Sequence, residues 1–234
     1  MKTKVFLVLV VLAGLFILSP NAQAVLQRVT FDAWTQDEPN PGKRLCVALH
    51  FKDDEFAHPP DYIKAIRITA PDGSVFFLDL SKDWMPWDPS YYRGFGPADF
   101  KGQVIPNGTY TVKVIPEVGN AISQTDVVKN TFLPIPVLTY PTEGLTDVPE
   151  TPVITWEPVT GATSYEIRLF NVSWQEYVYY YPDKKFPGYT SYEMPRGMLK
   201  PNCNYRIQIL ARAGGQDMDM RSRTAWINFR TGSW

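Results

Sequence analysis

Across 234 residues there are only two cysteines and two histidines. That scarcity narrows the chemistry open to the chain. A zinc site needs three or four converging nitrogen, sulfur or carboxylate ligands. Cys46 and His50 share the parity of one predicted strand, but four residues of extended chain set them about 13 Å apart, too far to share an ion. His58 precedes Pro59-Pro60 and reads as a loop residue. The sequence has neither a Gly-x-Ser-x-Gly elbow nor a glycine-rich phosphate loop. The acidic runs Asp53-Asp54-Glu55 and Asp217-x-Asp219 lack the oxygen count and spacing of a calcium loop, and read as solvated loop carboxylates. The expectation is a protein that is not an enzyme and that carries no cofactor and no metal.

Clustered positive charge is missing too. No run of Lys or Arg is longer than a pair, and the formal charge of −1 becomes −3 once Lys2 and Lys4 are set aside. Nucleic acid and anionic membranes both call for a grouped basic face, so neither is an expected partner. Beyond residue 24 no apolar run approaches the roughly 20 residues of a spanning helix. The N-terminus itself combines Lys2 and Lys4, the uncharged run Val5 to Leu18, and small residues at Ala22-Gln23-Ala24. That run of about 14 residues is too short to span, so residues 1–24 read as a signal peptide cleaved after Ala24. No cysteine stands near that point to take a lipid. The remaining chain is expected to be exported to the periplasm, cell surface or medium, without membrane insertion.

What is abundant is aromatic side chains, at 14% of residues, and proline, at 21 residues. No long segment keeps a 3.6-residue period free of Pro or Gly, so the chain reads as all-β. Residues 136–232 divide into short strands with turn residues between them. In "TPVITWEPV" Ile154 and Trp156 share a face. In "GATSYEIRLF" Tyr165, Ile167 and Leu169 face inward while Glu166 and Arg168 face outward. "TSYEMP" turns Tyr192 and Met194 inward. "LKPNCNYRIQIL" leads into Tyr205, Ile207, Ile209 and Ala211 at period two. "RTAWINFRTG" offers Ala225, Ile227 and Phe229, with Trp226 on the outer side. The Trp on the second strand, the Tyr-x-Ile-x-Leu third strand, Leu199-x-Pro201-x-x-x-Tyr205 and the closing Thr231-Gly232 together resemble a fibronectin type III domain. The resemblance implies a tyrosine corner: the Tyr205 hydroxyl bonds back to a backbone group a few residues upstream, Leu199 plugs the core beneath it, and Pro201 stiffens the turn. It gives Trp156, Leu199, Pro201 and Tyr205 structural roles. No Arg-Gly-Asp is present to carry over integrin binding.

The first half alternates less cleanly. "RVTFDAW" and "RLCVALHF" read as strands, "YIKAIRITAPDGSVFFLDL" as two strands joined at Pro71-Asp72-Gly73, and "IPNGTYTVKVI" as a turn into a strand. Together these resemble a looser immunoglobulin-like sandwich. The expected organisation is two tandem β-sandwiches, residues 25–133 and 142–234, joined end to end by a Pro-rich linker over 134–141. On that arrangement Cys46 and Cys203 are far apart, and both thiols are expected free or paired between chains.

Two aromatic groups are candidates for binding. "DWMPWDPSYYRGF" holds Trp84, Trp87, Tyr91, Tyr92 and Phe95 in what reads as a strandless, Pro-rich loop. "WQEYVYYY" holds Trp174, Tyr177, Tyr179 and Tyr181 near a hairpin. Exposed aromatics can anchor a protein partner or stack on sugar rings. The competing reading is that they seal the sandwiches. Asn107-Gly108-Thr109 and Asn171-Val172-Ser173 match the N-glycosylation pattern and are discounted as chance. The resulting functional expectation is an exported binding or structural module for protein interaction or adhesion. The alternative is a carbohydrate-binding protein using residues 84–95. The partner is thus an unidentified protein or glycan.

Overall fold

A computed structural model of the chain describes residues 29–51, 61–85, 90–180, 188–214 and 220–234. In the first half, period-two apolar residues fold as eight strands: β1 (Val29–Asp37), β2 (Arg44–Phe51), β3 (Ile63–Thr69), β4 (Val75–Phe77), β5 (Trp84–Met85), β6 (Ser90–Phe95), β7 (Gly108–Pro116) and β8 (Ile122–Val128). One sheet runs β1-β2-β6-β5 and the other β4-β3-β7-β8. Leu45, Val47, Leu49, Ile66, Ile68, Tyr110 and Val112 fill the space between them. The β3–β4 turn follows its sequence: Gly73 takes a φ of +75°, and the Asp72 carboxylate accepts the Ser74 N–H at 2.8 Å. The Ala33 N–H donates to Asp126 of β8 at 2.7 Å, tying the two sheets together.

The second half adds β9 (Leu138–Tyr140), β10 (Leu145–Val148), β11 (Val153–Trp156), β12 (Ser164–Asn171), β13 (Glu176–Tyr180), β14 (Ser191–Glu193), β15 (Asn204–Ala213), β16 (Met220–Arg223) and β17 (Ile227–Thr231). Sheet β14-β11-β9 faces the sheet that holds β10, β17, β15, β12 and β13. Ile154, Trp156, Tyr165, Ile167, Leu169, Met194, Ile207, Ile209 and Phe229 are buried between them, the inward residues expected from parity. Tyr192 is only half-buried against this core, and Ala225 is exposed because the chain leaves the sheet between β16 and β17. The chain is therefore all-β and built as two sandwiches.

Three features differ from the sequence reading. Residues 84–95 are not strandless: β6 pairs antiparallel with β2 along its length, and β5 pairs with β6. Ser-Tyr-Tyr-Arg-Gly-Phe alternates like a strand, and its prolines fall outside the paired segment. The linker is not free either. Leu133 already packs into the second core while Phe132 rests against the first, and Leu138–Tyr140 is a paired strand.

The third difference is the largest. The sandwiches are not joined end to end. β1 pairs in parallel with β16, placing Thr35, Gln36 and Asp37 beside Met220, Arg221 and Ser222. A single ten-stranded sheet thus runs through both halves. The Pro134 carbonyl accepts the Ser222 hydroxyl at 2.7 Å, holding the connecting segment against the same seam.

Candidate functional site

The inner faces of the shared sheet are apolar, so any site must be sought on its outer face or in its loops. Tyr91, named above as a contact residue, is fully buried in the first core. Trp84 is half-buried, its ring 5.1 Å from Tyr91 and 6.0 Å from Phe51. Phe95 is buried against Phe76 at 4.4 Å. The strand pairing that the sequence reading missed turns these side chains inward, so they seal the sandwich and do not form a contact loop. Tyr92, on the opposite parity, lies against Trp34 at 5.8 Å. Trp87 lies outside the described residues, as do Asp53-Asp54-Glu55, His58, Tyr181, Asp217 and Asp219.

The second aromatic group behaves differently. Trp174 and Tyr177, at the β12–β13 hairpin, are 54% and 55% exposed. Phe170 meets Tyr177 edge-on at 5.1 Å, which orients the exposed ring. The hairpin is held from below by Asn171, whose side-chain oxygen accepts the Trp174 N–H at 3.1 Å.

The residues tied to the tyrosine corner come together. The Tyr205 hydroxyl accepts the Lys200 N–H at 2.8 Å and the Asn171 side-chain N–H at 3.2 Å. Tyr205 stacks on Phe229 at 5.5 Å, Leu199 and Trp156 are buried, and Pro201 is exposed in the turn. Because Asn171 is buried and committed to Tyr205, it is closed to glycosylation in the folded chain, whereas Asn107 is exposed. Cys46 and Cys203 are unpaired buried thiols in separate places, the first among Trp34, Ala48 and Tyr92, the second in the second core. Burial pushes the Cys46 thiol up, against the opposing charge of Arg44. Among the described residues no three His, Cys, Asp or Glu side chains gather as a metal site would require.

The outer face of the shared sheet is where charge concentrates, and sequence reasoning missed it. Glu166, on the outward parity of β12 as expected, is nonetheless fully buried between Arg168 and Arg212. Burial alone would push its carboxyl up; the charge of Arg212, then that of Arg168, outweighs burial and holds the group below its ordinary value. Glu38, also buried, is gripped by Arg44 of the first sandwich and Arg223 of the second. The Arg44 chain lies across Gly94, where an added Cβ would come within 2.8 Å of Arg44 Cδ. Arg206 sits 4.4 Å from the Phe170 ring and 4.8 Å from that of Trp226. Arg221 lies 3.8 Å from the centre of the Trp34 ring. Trp34 in turn donates its indole N–H to Gln36 at 3.3 Å, and Gln36 donates to Glu38. These six arginines share the outer face with the buried carboxylates of Glu166 and Glu38, and Arg230 and Asp32 lie on the same parity. Residues scattered from 44 to 223 gather here only through strand pairing, so no local run betrays them. The available signal is that Trp34, Cys46 and Ala48 make β1 and β2 apolar on both parities, as strands covered on both faces are.

No protein-family model matches the chain, and no curated protein matches it either. Among solved structures, the FN1–FN3 domains of chicken CNTN1 are 15% identical, with 86% of this chain and 63% of that one covered and a TM-score of 0.34. Tp47, the 47-kilodalton lipoprotein of Treponema pallidum, is also 15% identical, with 84% and 49% covered and a TM-score of 0.41. The chain thus spans less than two thirds of either of those chains. Its fold class rests on its own paired sheets. No helix among the described residues is long and apolar enough to cross a membrane.

Proposed function

We propose that the chain is an exported, non-enzymatic module of two sandwiches, the second of fibronectin type III kind, that acts as one rigid unit in binding a protein partner. The observation that carries this reading is the shared sheet. Pairing of β1 with β16 and the grip of Arg44 and Arg223 on Glu38 fix the relative placement of two domains that a bare linker would leave independent. Export is supported by the leader-like features of residues 1–24. The exposed pair Trp174 and Tyr177 supplies the kind of anchor that protein interfaces favour.

The test is cross-linking of the tagged protein in the exported fraction of the cells that make it, followed by mass spectrometry, beside a Trp174→Ala/Tyr177→Ala variant. The expected result is one specifically cross-linked protein, lost in the variant, and no response on a glycan array read by Trp fluorescence. Saturable glycan binding lost in the same variant would replace the protein partner with a carbohydrate. Turnover of any substrate would overturn the non-enzymatic reading.

A further inference from the structure

β1 and β16 run in the same direction and, among the described residues, overlap over Thr35–Asp37 and Met220–Ser222 alone. Both β16 and β17 pair antiparallel with β15, so β17 continues the direction of β16 past the break at 224–226. Val29 therefore lies six residues before the overlap, and Thr231 nine residues beyond it at the other end. The strands form a lap joint, one leaving toward Val29 and the other toward Trp234. A pull between those two residues draws β1 and β16 past each other along their axes. The hydrogen bonds of a parallel ladder run between the strands, so such a pull loads all of them together. It reaches the joint directly, because β1 is one pulled strand and β16 leads through β17 into the other.

We propose that this overlap is a tension-sensitive latch, which slips under a pull between residues 29 and 234 while both sandwiches stay folded. The extent of the pairings sets that order. β1 is held to β2 by eight register pairs, and β15 to β16 and to β17 by four each, whereas three join β1 to β16. β17 has a second neighbour in β10, and β1 is tied to β8 through Asp126. The joint is reinforced by side chains that span the seam: Glu38 with Arg223, and Arg221 over Trp34. Slipping breaks these contacts together with the ladder. The sandwiches then remain connected through residues 129–137, and one rigid body becomes two jointed ones. Slipping also draws Arg221 away from Trp34, which is 3% exposed at rest. The latch concerns the seam under load and does not depend on partner binding by the β12–β13 hairpin; either can fail without the other.

The experiment tethers the protein in an optical trap through peptide tags, one joined ahead of Val29 and one after Trp234, leaving Cys46 and Cys203 untouched. As force rises, a short extension step should precede the two long steps of sandwich unfolding. At a fixed force Glu38→Gln should slip several-fold faster than the parent. Tyr205→Phe, whose lost contacts lie within the second sandwich, should leave the slipping rate unchanged. Asp37→Cys combined with Ser222→Cys places thiols on residues in direct register. Its oxidised form should lose the short step and regain it on reduction. A first event as long as the unfolding of a whole sandwich would overturn the proposal. So would a short step that Glu38→Gln does not hasten, or one that persists when mass spectrometry confirms the cross-link. The records of the parent and of Glu38→Gln decide the matter even should the double cysteine variant fail to fold.

Discussion

Arg221 of the second sandwich lies 3.8 Å from the centre of the Trp34 ring of the first. The two residues sit on β16 and β1, the strands whose parallel pairing merges the sheets. A cation over an indole face is worth about 0.5–2 kcal/mol, the more the less water reaches it. Here it adds to backbone hydrogen bonds and to the Glu38 pairs, so the seam is secured by three kinds of interaction.

Glu38→Gln removes the charge that holds Arg44 and Arg223 together. Breaking a buried pair costs about 3–5 kcal/mol when both partners are sequestered. Arg44 and Arg223 keep 16% and 26% exposure, so water repays part of the loss. The expected destabilisation is about 1–3 kcal/mol in urea unfolding. In an Arg223→Met background the same change should cost less, since half of the interaction is already gone.

Tyr205→Phe takes away the acceptor of the Lys200 N–H and of the Asn171 side chain. A loss of about 1–3 kcal/mol from the second sandwich is expected, from stranding a donor that water does not freely reach. Equal urea midpoints for variant and parent would contradict the corner's role.

Tyr91→Phe should act in the opposite sense. The Tyr91 hydroxyl is buried without a hydrogen-bond partner among the described residues, and burial pushes it up to about 12. Deleting it removes a desolvated polar atom and leaves the ring contacts with Phe51 and Trp84 in place. Stability should be unchanged or higher by about 1 kcal/mol. A clear loss would mean that the hydroxyl bonds an ordered water.

Glu166 gives the protein an acid-sensitive contribution. Its folded carboxyl is held below the ordinary 4.5, with Arg212 and Arg168 responsible. A depressed carboxyl stabilises the fold fully above its unfolded value, and that stabilisation is lost as pH falls through the folded value. Unfolding free energy should therefore drop as pH falls below about 4.5. Glu166→Gln should be less stable at neutral pH and should show a flatter decline over that acid range.

The strands were legible wherever one face is apolar and the other polar. β2 and the β3–β4 turn follow their residues closely, and the inward set Tyr205, Ile207, Ile209 and Ala211 was evident from period two alone. The tyrosine corner was legible because its parts lie within seven residues of one another. Parity also assigned Glu166 to the outer face correctly, but parity says nothing of what lies over a face, and there Arg168 and Arg212 close above the carboxylate. β6 was misread because prolines before it suggested a loop, whereas pairing with β2 begins just after them. The seam was invisible for a different reason. Glu38 and Arg223 are 185 residues apart, and pairing at that distance leaves no periodic trace in either segment.

That separation also bears on how the protein comes to be built. The first sandwich holds every strand of its own core before residue 133, yet the backbone of Thr35–Asp37, on the edge of β1 away from β2, takes its strand partner from Met220–Ser222. An unpaired edge is a template for the wrong strand, and a contact closed over so long a loop forms late. During synthesis the nascent first domain therefore offers a short open border, beside Trp34 and Cys46, that a chaperone or a second nascent chain can occupy. The segment that finally covers it comes from the far side of the second domain, so completion of one domain's surface waits on the folding of the other.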